Sequence, residues 1–411
     1  MIGQFSTRAI ATRTSRGVGK LFASTAIVAC AMGLISGVPV ASAQSVTTSG
    51  DVNPSPATSP NWNVGGVLNV GDSATGSLTV AGGGTVTSTF GQIGVGSGGD
   101  GTVTVTGAGS NWTSNSSIYV GMFGSGTLNI ANGGSVDVDT NSTLGEYAGS
   151  TGIATVSGPG SRWTSDNFLY VGAAGNGTLG IENGGSVSAA QAIVGEDDGS
   201  GGLVTIAGTG SSLSLDSDLV VGQAGTGTLE IAGGGAVTTG NQGIIGYFTG
   251  SDGTVAVTGP DSVWNLSSSL QVGREGAGEL IISNGGIVST ASAPVSVDFR
   301  TIGSRQGSSG DVTVTGTGSA WLGNNNLTVA GEGTGTLTIA AGGLATSGTA
   351  VIGSSVDGVG MATVTGGNSA WTNSGQMFVG LSGKGTLTIL NGGTVSNTTA
   401  FIGTVPARTA R

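Results

Sequence analysis

The three consecutive acids Glu196, Asp197 and Asp198 are the densest chemistry in the chain. Two carboxylates suffice for glycoside hydrolysis, one protonating the leaving oxygen and the other activating water or attacking the sugar. Here consecutive residues of a strand would face opposite sides, turn residues are usually hydrated, and no Lys or Arg lies nearby, so the cluster reads as a solvated turn. Other reactive types are scarce. Histidine is absent, and the single cysteine, Cys30, falls in a leader-like segment, which excludes histidine triads, disulfides and His/Cys zinc sites from the remainder. No catalytic residue, cofactor or metal is expected.

Three further groups of residues bear on recognition. The segment GSGGDG, Gly96 to Gly101, has the composition of calcium-binding turns, but its acid drifts or vanishes in the equivalents GSTG, DGSGG, GSDG and GSSGD, so turn formation accounts for it better. Six tryptophans, Trp62, Trp112, Trp163, Trp264, Trp321 and Trp371, are separated by 50, 51, 101, 57 and 50 residues, and the midpoint of the long gap holds Leu213. They mark a phase. A position that accepts Trp or Leu is an apolar packing position; the alternative is a row of rings for sugar stacking, about 10 Å apart if two coils separate them. Lastly, about seven extra residues enter between Val288 and Ile302, close to Asp298, Phe299, Arg300 and Arg305. An insertion on a regular rod is expected to leave as a surface loop, which makes these four the candidate recognition loop.

The chain has 411 residues, 84 of them glycine, with 8% charged residues and a net charge of −11. Its aliphatic and threonine content, alternating between glycines, points to short strands and tight turns rather than to collagen or disorder. Basic residues cluster at the ends, and an acidic body repels phosphate backbones and anionic lipid, so nucleic acid and peripheral membranes are poor partners. The start predicts export. Arg8, Arg13, Arg16 and Lys20 precede an apolar run that ends at Ala41, Ser42 and Ala43, as in a cleaved signal peptide; an uncleaved anchor and lipidation at Cys30 are the alternatives.

A complete unit runs from Ile118 to Ser165, and its VG frame returns at Leu68, Leu169, Leu219, Leu270, Leu327 and Met377. Each unit also echoes itself. GTLNI matches GIATV and Val136 matches Trp163, which gives a half-period of about 25 residues holding three short apolar segments. The expected fold is an all-β, right-handed parallel β-helix of about seven 50-residue repeats with two coils each, a rod roughly 60–70 Å long. Asn132, Asn183, Asn284 and Asn391 are expected to adopt positive φ at corners. The domain reading is a signal peptide over 1–43, a linker or cap over 44–60, the β-helix over 61–404 and an irregular tail over 405–411.

The unit VGxxGxGTLTIxxGGxVT, cleanest at Val329 to Gly343 and Val379 to Val395, resembles the repeat associated with bacterial autotransporters and PEP-CTERM proteins. The likeness spans about Trp62 to Gly403. It implies a Gram-negative bacterium and a β-helical passenger at or released from the outer membrane, with no catalytic residues to carry over. After Gly403 the expected sequence gives way to TVPARTAR, with neither an outer-membrane barrel nor a sorting tail, so a truncated passenger or a secreted partner is expected. The function implied is a non-enzymatic surface scaffold or adhesin that meets host or environmental glycans or surface proteins. The alternative is a polysaccharide-binding or polysaccharide-cleaving β-helix.

Overall fold

The computed structural model describes residues 43–290 and 299–403, with no side-chain placement for Phe299. The signal segment, Asp298 and the tail lie outside the described residues. Among the described residues every regular element is a strand, and no helix is long and apolar enough to cross a membrane.

Seven-residue strands such as Asp100–Thr106, Ser125–Ala131 and Thr151–Ser157 stack into a fourteen-stranded sheet. Its residues alternate buried and outward, because TVTVT and GTLNI place their aliphatic residues on one face at period two. Thirteen of the strands run parallel, one per turn of a solenoid. Most turns add two shorter strands, typified by Asn111–Ser114 and Ile118–Val120, which merge into one in Arg162–Val171 and in Ser186–Val194, and these build two further parallel ladders. Neighbouring turns are usually 25 or 26 residues apart, as in Ser125 opposite Asp100 and Thr127 opposite Ile153. Across the insertion the step grows to Ala277 opposite Ser309, yet the ladder resumes in phase.

The first turn is closed differently. Strands β1 (Ser45–Gly50) and β2 (Val52–Asn53) precede β3 (Asn61–Asn63), β4 (Val67–Val70) and β5 (Thr75–Ala81). Both of the leading strands pair antiparallel, β1 on β5 and β2 on β4, so they cover the sheet edge that a parallel turn would otherwise leave open.

The fifty-residue period has a packing cause. Along one ladder the inward position reads Trp62, Val86, Trp112, Val136, Trp163, Val187 and Leu213, confirming the alignment of Val136 with Trp163 and the packing role of the indoles. All six tryptophans are buried. The adjacent ladder reads Gly91, Ile118, Ser142, Leu169, Ala192, Leu219 and Gly243, so a turn with a large residue in one ladder also has a large one in the other, and the indoles of Trp112 and Trp264 lean over Gly91 and Gly243 of the turn before. Two turns are therefore the smallest unit that fills the core without a void. A serine two residues before the indole position fixes the corner in the turns after the first: Ser110 donates to the Thr106 carbonyl at 2.7 Å and accepts the Gly83 N–H at 2.9 Å, and Ser161, Ser211 and Ser369 repeat both bonds. The four corner asparagines adopt φ between 50° and 55°, as expected.

Candidate functional site

One corner of the solenoid carries all four tyrosines of the chain. It lies where the VG strands end. Tyr119, Thr143 and Tyr170 are successive ladder partners, and their positions alternate with the buried Ile118/Val120, Ser142/Leu144 and Leu169/Val171, so they face outward. The backbone ladder continues past the glycine: Glu146 N–H donates to the Gly121 carbonyl at 3.0 Å and Glu196 N–H to that of Gly172 at 2.9 Å. That continuation stacks Met122, Glu146, Ala173, Glu196, Gln223 and Tyr247 in one column and Phe123, Tyr147, Ala174, Asp197 and Phe248 in the next.

A cleft of about 320 Å³ opens in this corner, lined by Tyr119, Tyr147, Tyr170, Glu146, Glu196 and Asp197 together with Asn141, Thr143, Ala173 and Ala174. Ala173 and Ala174 create it: in the columns that carry Glu146 and Tyr147 on one side and Glu196 and Asp197 on the other, the turn between them contributes only methyl groups. The aromatic wall is unusually exposed for large apolar rings. Phe123 (47% exposed) and Tyr147 (41%) stack with centroids 4.2 Å apart and planes 8° from parallel. Phe168 stacks on Tyr170 at 5.4 Å, and farther along Tyr247 meets Phe248 edge-on at 4.4 Å while Arg274 lies over the Tyr247 ring at 4.2 Å.

The cleft is electrostatically unfavourable to itself. Burial, together with the charges of Asp197 and Glu146, pushes the Glu196 carboxyl up to about 7. Burial also raises Glu146, an effect opposed by a hydrogen bond from Thr143. None of the lining residues is basic. The turn reading holds for Asp197 and Asp198, which are exposed, whereas Glu196 is half-buried and faces Glu146 from two turns away. Adjacency in sequence hides this pairing; the equal offsets of Glu146 in LGEYAGS and Glu196 in VGEDDGS carry it.

Of the expected recognition loop, Asp298 lies outside the described residues, and the structure separates Arg300 from Arg305. Arg300 is fully buried, in strand Phe299–Ile302, with Leu270 and Leu327 as its ladder partners, and is no surface residue. It donates through Nη2 to the carbonyls of Gly323, Asn325 and Thr346, at 3.2, 3.2 and 2.6 Å, and sits over Trp321 at 5.2 Å, while its Nε and Nη1 are unpartnered. Arg305 is exposed on the column that carries Tyr147 and Phe248. Among the described residues no group of His, Cys, Asp and Glu is arranged to hold a metal.

No family model matches the chain, and no curated protein matches it either. Among solved structures it is similar to the TibC-catalysed, hyper-glycosylated TibA fragment, at 18% identity and a TM-score of 0.34, over 80% of this chain and 97% of that one. So loose a superposition adds nothing to what the chain's own ladders establish about its fold.

Proposed function

We propose that this protein is an exported, non-enzymatic, passenger-like scaffold of the bacterial surface, an adhesin whose solenoid presents the aromatic corner to glycans or surface proteins. The observation that carries this reading is the stacked Phe123 and Tyr147 pair, held exposed to water beside the cleft. Large rings contribute little to stability when they remain hydrated, and rigid exposed aromatics are what interfaces use for anchorage. The regular core below fixes their spacing. Export and surface placement draw their support from the basic, apolar and small-residue order of residues 1–43 and from the resemblance of the repeat.

The reading makes the tryptophans scaffold and the corner contact. A double variant, Phe123→Ala with Tyr147→Ala, should melt like the parent yet lose retention of the secreted chain on immobilised polysaccharides and on cell surfaces. Unchanged retention by a folded double variant refutes the corner as the contact face.

One observation favours polysaccharide cleavage as a second reading: Glu146 and Glu196 share a cleft and both hold protons above the usual carboxylate range. Release of reducing ends from a panel of polysaccharides would establish it. The scaffold reading expects none.

A further inference from the structure

We propose that the corner cleft binds an extended polysaccharide bearing free amino groups, its rings on Tyr119, Tyr147 and Tyr170 and its ammonium among Glu146, Glu196 and Asp197. This rests on the scaffold reading and specifies its ligand.

The spacing suits a polymer. Tyr119 and Tyr170 occupy one outward column with Thr143 between them, so their rings stand two strand spacings apart, about 10 Å. That is the interval between alternate sugars of an extended glycan, the geometry expected of the tryptophan row but realised by tyrosines. Tyr147, backed by Phe123, supplies a third face beside them. A volume of about 320 Å³ lies at the small end of ligand pockets, enough for a short stretch of a longer chain.

The charge selects the ligand. Three carboxylates line the cleft with no basic residue to balance them, so a neutral sugar leaves their repulsion in place and an anionic one adds to it. An ammonium relieves it and meets the tyrosine faces as a cation over a ring. The same corner already contains that arrangement made from the chain itself. Tyr247, two turns beyond Glu196 in the same column, is covered by the Arg274 guanidinium at 4.2 Å. Among the described residues no such cation lies over Tyr119, Tyr147 or Tyr170.

Calorimetric titration at pH 7 with glucosamine hexamer, N-acetylglucosamine hexamer and cellohexaose tests this. The expected result is affinity at least tenfold higher for glucosamine hexamer, weakened by salt through screening. Glu146→Gln with Glu196→Gln should abolish that preference with the melting temperature retained, and Tyr147→Ala with Tyr170→Ala should abolish binding of all three. Equal affinity for the three hexamers overturns amine recognition while sparing a glycan-binding corner. Binding of none by the folded parent overturns this inference, and the cell-surface retention of the Phe123→Ala, Tyr147→Ala variant then judges the scaffold reading independently.

Discussion

The indole of Trp112 fills the space that a side chain on Gly91 would need. A Cβ built on Gly91 would overlap Cζ2 and Cη2 of that ring, and Trp264 stands in the same relation to Gly243. Gly91 has no positive φ, so its requirement is steric. Gly91→Ala should cost about 1–3 kcal/mol by overpacking. Trp112→Ala should cost about 3–5 kcal/mol, and it also removes the 3.1 Å bond from the indole N–H to Ser88 Oγ. The decisive measurement is a double-mutant cycle by chemical denaturation: Gly91→Ala should be nearly free in a Trp112→Leu background, with a coupling of about 0.5–3 kcal/mol. Additive losses would mean that the two residues do not compete for one volume.

Arg300 occupies a position that other turns give to Gly91, Ser142, Ala192, Gly243 and Ala350. A buried guanidinium without a carboxylate is costly, and burial lowers its pKa to about 10. Its value lies in the carbonyls it satisfies. Arg300→Ala restores the small residue but removes a charged donor from three part-buried carbonyls, of which Gly323 keeps the Thr346 hydroxyl and Asn325 keeps the Gly348 N–H; with the loss partly offset by removal of a desolvated charge, a net destabilisation on the order of 1–3 kcal/mol is expected. Denaturant titration measures it. Retention on glycans or cells should not change, because the side chain never reaches the surface.

These two positions show what was readable. Val136 opposite Trp163 was legible because packing repeats wherever the ladder does, and a repeat can be aligned with itself. Arg300 departs from the expectation of a surface loop because the insertion does not carry its flank outward. FRTIG has the phase of LQVG, and ladder hydrogen bonds pull it back between Leu270 and Leu327. The cleft was harder to see. It is made by side chains two turns apart and by the smallness of Ala173 and Ala174 between them, a relation that appears only once the turns are stacked.

Glu196 makes stability depend on pH in a defined direction. Its folded pKa, about 7, lies above the ordinary value of 4.5, so the folded state holds its proton longer than the unfolded state. The contribution is fully present below about pH 4.5 and is lost as pH rises through 7. Glu146, Asp197 and Tyr170 face the group, and the two acids act in the same sense. Melting temperature should therefore fall between pH 5 and pH 8. In Glu196→Gln the fall should shrink, leaving the variant more stable than the parent at pH 8. A parallel pair of melting curves across that range would contradict the burial of this carboxyl.

Asp51 works in the opposite sense at the capped end. Its Oδ2 accepts the Ser73 and Ala74 N–H groups at 2.7 and 3.0 Å, tying the corner between β1 and β2 to the turn that enters β5, and these bonds hold its pKa below the usual carboxylate value. A lowered folded pKa stabilises above the unfolded value and is lost as pH falls through the folded one. Asp51→Asn should lower the melting temperature at pH 7, with the difference closing as pH falls through the lowered pKa of the folded state. Since β1 covers the edge of β5, loosening it also exposes a strand to pairing with other chains. Light scattering during heating at pH 7 should show the variant aggregating at a lower temperature than the parent, whereas a variant confined to the corner, such as Tyr147→Ala, should scatter like the parent because the edge stays covered.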